Sequence, residues 1–184
     1  MNVASKIFNY FFTTQLVMAF LLLLMSGQNL WGQEVKWISF EAAVAQQAKD
    51  ASPKKMFIDV YTDWCGWCKK MDKDTFQNPE VAAYMKEHFY MVKLDGEGKD
   101  PITFRAQTFS FIDSGRNGYH ELAANLLQGQ LSYPTVVFLD EQINMLSPVP
   151  GYMKAAPFLK IAKYFAENTY KTVSWENYQK KEAP

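Results

Sequence analysis

The only two cysteines of this 184-residue chain stand three apart in DVYTDWCGWCKKM (residues 59–71), where a run of β-formers gives way to a helical pattern. No other stretch constrains the fold as much, because it fixes a buried strand, a tight corner and a helix start within one short segment. MFIDVYT (56–62) is a continuous apolar run broken only by Asp59, the pattern of a central strand covered on both faces. From Gly66 onward Trp67, Lys69, Lys70, Met71 and Lys73 follow helical spacing. Three roles are open to such a cysteine pair: a redox dithiol, half of a metal site, or a buried pair without chemistry.

The surrounding chain reads as alternating helices and strands. SFEAAVAQQAKDASPKK (39–55) predicts a helix capped by Ser39 and ended by Ser52-Pro53, with Phe40, Val44 and Ala48 on one face. Asn78-Pro79 restarts the helix that follows the cysteines, and YMVKLD (90–95) is a second strand. GYHELAANLLQGQ (118–130) predicts a helix stopped at Gly129. PTVVFLD (134–140) is a third buried strand, and INMLSPVPG (143–151) a fourth, placed at an edge because Pro148 and Pro150 cannot donate to a ladder. AAPFLKIAKYFAENTY (155–170) is an amphipathic helix, and residues 171–184 read as a polar, fraying tail. This order predicts an α/β class, a mixed central sheet with helices on both faces.

The first 32 residues are read separately as a signal peptide. Lys6 is the only charge before Glu34, LVMAFLLLLM (16–25) is a compact apolar run, and SGQNLWGQ turns small and polar, placing cleavage near Gly32. An uncleaved anchor is the alternative, although the clean apolar part is short for a membrane span. Either reading exports the domain at 34–184 to the periplasm or a similar compartment. Lysine plus arginine equals aspartate plus glutamate at nineteen each, so the basic footprint of nucleic-acid binding is absent.

Export bears on the cysteines. Disulfides serve as staples outside the cytoplasm, but a three-residue spacing closes so small a loop that it removes little unfolded-chain entropy. The pair is therefore expected to act chemically. At a strand-to-helix junction Cys65 meets unpaired N–H groups and the positive end of the helix dipole, which favour its thiolate. Cys65 is thus the expected nucleophile, and Cys68, one turn into the helix, the expected resolving thiol.

Taken together, Trp64, Cys65, Gly66, Cys68 and Lys69 after a buried strand, with VKLD (92–95), SYPT (132–135) and Gly151, resemble the thioredoxin family over residues 38–170. The resemblance implies a thioredoxin-like fold and thiol–disulfide exchange with protein substrates. It implies that Asp59 is the buried carboxylate that takes a proton from Cys68, and that Lys93 is its partner. It also implies that Pro134 is a cis-proline facing the dithiol, leaving the Tyr133 backbone to pair with an extended substrate. Trp64, Gly66 and Trp67 beside the dithiol are expected to contact substrate, with Trp64 shielding one side of it, and Gly151 leaves room for a partner. Two departures stand out. Trp67 replaces the family's proline or histidine and brings no charge to set the redox poise, which tilts the expectation toward a reductase or isomerase rather than an oxidase. Forty residues separate Lys93 from Pro134, so an insertion is expected near 97–118, read as a decorated loop.

No organic cofactor is expected, and no metal, since His88 and His120 are the only histidines and zinc sites want four nitrogen or sulfur ligands. A monomer is expected, with protein thiols and disulfides and a membrane or other thiol redox partner. The competing expectations are a non-catalytic thioredoxin-fold binding module, a copper(I)-handling dithiol, and a peptide-binding chaperone using the insertion.

Overall fold

β1 (Lys55–Tyr61) is the pivot of the structure, a computed structural model that describes residues 35–115 and 118–181, all within the compact unit Gln33–Pro184. β1 pairs in parallel with β2 (Phe89–Asp95) and antiparallel with β7 (Thr135–Leu139), and β8 (Met145–Pro150) closes the other edge, giving the order β2-β1-β7-β8. A parallel pair needs a crossover. Here it is made by α2 (Gly66–Met71), a π-helical continuation at Asp72–Phe76, and α3 (Pro79–His88). Asn78 caps α3 through its side chain, and Pro79 sits in the first turn, where its missing N–H costs nothing. The signal segment expected at 1–32 lies outside the described residues.

Strand alternation divides the core into two halves. Met56, Ile58 and Val60 pack with Val92, Leu94 and Val137 beneath α1 (Phe40–Gln47) and α4 (Glu121–Leu126). Phe57 faces the other way, into an aromatic layer of Phe76, Phe138 and Phe158 that joins the π-helical segment to α5 (Ala155–Ala166). The mixed α/β sheet with helices on both faces is therefore present, and Asp59 shares the side of Phe57, the side covered by α2.

Three sequence expectations need correction. The first helix ends at Gln47, not at Pro53, because Ala48–Asp50 already turns the chain back toward β1. The helix expected from Gly118 starts at Glu121. Tyr119–His120 forms strand β6 against β5 (Phe111–Ile112), and the His120 imidazole caps α4 by accepting the Leu122 N–H. The tail does not fray throughout: α6 (Trp175–Lys181) lays Trp175 and Tyr178 on Tyr164 at ring separations of 5.1 Å each. The insertion is built as two small hairpins, β3 (Ile102–Phe104) with β4 (Gln107–Phe109) and then β5 with β6. Buried Phe109 and half-buried Phe104 join the α1 side of the core.

Phe57 is fully buried and touches four other aromatic rings, so Phe57→Ala is expected to cost about 3–5 kcal/mol. A urea melt that keeps its slope but moves to a lower midpoint is the expected result.

Candidate functional site

The corner between β1 and α2 builds the site. The Cys65 N–H donates to the Thr62 carbonyl, turning the chain out of the sheet, and Cys65 then takes the N-cap position of α2. Its sulfur accepts the Cys68 N–H at 3.1 Å, which turns one of the helix's unpaired donors onto the sulfur. Cys65 and Cys68 are joined as a disulfide with Cα atoms 5.3 Å apart. Both residues are nearly covered, at 4% and 3% exposure, while Trp64 and Trp67 beside them stand out at 67% and 59%.

Two aromatic pairs frame the disulfide. The Trp64 ring meets Tyr133 edge-on at 5.9 Å, and its indole N–H donates to the Glu97 carboxylate at 3.0 Å. The Trp67 ring packs on Tyr152 at 5.2 Å. The peptide between Tyr133 and Pro134 is cis, and the Gly151 N–H donates to the Pro134 carbonyl, joining the start of β7 to the end of β8. Gly151 has φ +94°, a conformation other residues adopt only with strain. Gly96 is required for another reason: a Cβ there would lie 2.5 Å from the Tyr133 hydroxyl, so only glycine lets that ring rest on the β2–β3 turn.

Beneath α2 the Asp59 carboxyl is 1% exposed, and both of its oxygens lack a hydrogen-bond partner. Its register partner on β2 is Lys93, whose ammonium lies 3.6 Å away, an ion pair too long for a hydrogen bond. Lys93 instead bonds Asp72 directly and sits over the rings of Trp37 and Tyr61 at 5.0 and 5.1 Å. Burial dominates and pushes the Asp59 carboxyl up to about 7; Lys93 opposes that rise, and the charge on Asp72 adds to it. A cavity of about 210 Å³, lined by Trp37, Asp72, Phe76, Gln77 and Lys93 among others, opens this ion cluster to the surface.

The structure thus brings Cys65, Cys68, Trp64, Gly66, Trp67, Tyr133, Pro134 and Gly151 to one rim, with Asp59 and Lys93 under the same helix. Sequence reasoning missed Asp72, Glu97 and Tyr152. Asp72 follows Cys68 by four residues, one helical turn, and that spacing was the available signal. Glu97 lies in a turn, where no periodicity points at Trp64. Among the described residues no group of three or more histidine, cysteine or acidic side chains is placed to hold a metal ion, and no helix is long and apolar enough to cross a membrane.

Comparison with known proteins agrees with this architecture. The sequence profile of the Thioredox_DsbH family, described as a protein of unknown function, DUF255, matches residues 28–147. The thiol:disulfide interchange protein DsbD of Vibrio vulnificus (strain CMCP6) is 31% identical over 167 residues, 85% of this chain and 22% of that protein. Human spermatogenesis-associated protein 20 is 30% identical over 89 residues, 48% of this chain and 10% of its own length. The chain therefore spans less than a quarter of the length of these curated relatives. Among solved structures, a DsbH oxidoreductase superposes with a TM-score of 0.51 at 20% identity, covering 77% of this chain and 94% of its own. A thioredoxin from Thermus thermophilus gives 0.52 at 18% identity, covering 72% and 88%. At such identities the likeness establishes the fold: a thioredoxin fold carrying a C-x-x-C disulfide.

The elevated Asp59 value sets a pH dependence. Its folded value lies above the ordinary 3.8, so the stability it contributes is complete below about pH 4 and is lost as pH rises through about 7. Asp59→Asn removes that loss. The variant is expected to gain on the wild type by on the order of 3–4 kcal/mol between pH 4 and pH 8, read from urea midpoints at both pH values. Parallel pH profiles for the two proteins would contradict the buried-acid assignment.

Proposed function

We propose that this chain, which belongs to the Thioredox_DsbH family, is an exported thiol–disulfide oxidoreductase that exchanges disulfides with protein substrates through Cys65 and Cys68. The carrying observation is the disulfide itself, closed at the start of α2 with the Cys65 sulfur accepting a helix N–H. In the reduced protein the same donor and the helix dipole favour a thiolate on Cys65. That thiolate attacks one sulfur of a substrate disulfide, forming a mixed disulfide and releasing the other sulfur as a thiolate. Cys68 gives its proton to Asp59 and attacks the Cys65 sulfur. The internal disulfide closes, and the substrate's second sulfur leaves and is protonated. Two electrons pass from the dithiol to the substrate, and a thiol-bearing partner protein must return them. The matching segment of a thiol:disulfide interchange protein supports a partner of that chemistry.

Asp59 suits the proton-accepting role because a carboxyl held near 7 changes charge at working pH. Lys93 holds the charged form once it is made. The Tyr133 segment ahead of β7, beside Trp64, is the place for an extended substrate to add alongside. Trp67 brings no charge to the thiolate, which favours reduction or isomerisation over oxidation. The apolar run at 16–25 behind Lys6 supports export. The protein acts as a monomer and needs no cofactor beyond its own disulfide.

Insulin reduction with dithiothreitol as electron source tests the exchange. Wild type is expected to accelerate turbidity, and Cys65→Ser and Cys68→Ser are each expected to abolish it. Cys68→Ala is expected to accumulate a mixed disulfide that gel electrophoresis separates without reductant. Inertness of the wild type would remove the assignment. The reduction potential is expected at or below the isomerase value of about −180 mV; a value near about −120 mV would make the protein an oxidant.

A further inference from the structure

The disulfide sits between Trp64–Tyr133 and Trp67–Tyr152, and the second pair is anchored in a way its surface position does not require. The Tyr152 hydroxyl donates to Asp74 at 3.0 Å, and the same carboxylate oxygen takes the Lys70 ammonium at 2.6 Å. Lys70 also lies 5.8 Å from the Tyr152 ring centre. Next along the chain, the Met153 carbonyl accepts the Thr75 hydroxyl at 2.5 Å, fastening the post-β8 loop to the π-helical segment. The large hydrophobic side chains exposed among the described residues are Trp64, Trp67 and Leu131. Two belong to the dithiol corner, and Leu131 lies two residues before Tyr133. Exposed apolar surface concentrated at one place marks a contact site.

We infer that the Trp67–Tyr152 pair is a specificity-determining platform that takes an apolar or aromatic side chain next to the reacting cysteine of an extended polypeptide. This rests on the exchange reading above and names its substrate class. Trp67 lies between the two cysteines, so a side chain packed on it belongs to a residue adjacent to the substrate's sulfur. The aromatic face rewards flat apolar groups, while the bonds through Asp74 and Lys70 hold it in place before the substrate arrives, reducing the ordering cost of binding. Charge completes the match: Asp63 and Glu97 flank Trp64 at the other end of the frame and repel acidic segments. The complementary chain is apolar at the cysteine and carries no neighbouring acid.

The test uses three disulfide-linked peptides that differ only in the residues flanking the cysteine: phenylalanine, serine or glutamate on both sides. Wild type is expected to prefer phenylalanine over serine by roughly three- to tenfold in kcat/KM, carried by KM, as one partly exposed aromatic contact provides. Serine is expected to be preferred over glutamate. Tyr152→Ala should collapse the phenylalanine-to-serine ratio toward one, leaving the serine-to-glutamate ratio and the reduction potential unmoved, while Tyr152→Phe keeps at least half of the first ratio. Tyr152→Leu, which retains bulk against the core, serves if the alanine variant fails to fold and should lose the ratio as well. An unchanged phenylalanine-to-serine ratio in a folded alanine or leucine variant overturns the platform. So does a wild type that handles all three peptides equally. Wild-type inertness toward all three fails the exchange reading instead.

Discussion

Everything at this site depends on one backbone donor, the Cys68 N–H, pointing at the sulfur of Cys65. It points there because β1 ends at Tyr61 and the chain turns at Thr62–Trp64, leaving Cys65 at the N-cap of α2. Helix starts always carry unpaired donors, ordinarily met by serine, threonine or aspartate oxygens. Placing a sulfur there converts a structural need into an electrostatic one: the cap is weak for the helix and strong for a thiolate. The cost to helix stability is borne by the crossover, in which α2 runs on through the π-helical turn into contact with Phe57 and Phe158.

Burial of Asp59 follows from the same strand. Alternation along β1 turns Met56, Ile58 and Val60 toward α1 and sends Phe57 and Asp59 toward α2, so a carboxyl at this position is committed to the interior. Parallel pairing with β2 then sets Lys93 opposite it. Full neutralisation by Lys93 would have left an ordinary buried ion pair; engagement of the ammonium by Asp72 keeps the acid only partly compensated, which is the condition for its charge to change near neutrality.

Much of this was legible in the residues. The β1 run, Asp59 inside it, the caps at Ser39 and Asn78, the edge strand with Pro148 and Pro150, and the cysteine corner all carry local signals that tertiary packing reinforces. Other parts were not legible. The β3–β4 hairpin turns through Arg105 and Ala106, both at positive φ, where sequence patterns look for asparagine or glycine. α6 rests on Trp175 and Tyr178 spaced three apart among charges, too few apolar positions to stand out. Helix α4 begins late because His120 serves as both strand residue and cap, a double role that composition does not reveal. At the site the missed residues, Asp72, Glu97 and Tyr152, touch Lys93, Trp64 and Trp67 rather than the cysteines, and such indirect partners become visible only in three dimensions.

The cavity below Trp37 has a consequence for traffic. Its walls include Lys93 and Asp72 but neither Trp64 nor Trp67, so the counter-ions of the buried acid border an opening that the two indoles do not line. Hydration of the acid's counter-ions therefore does not depend on the space between the two indoles.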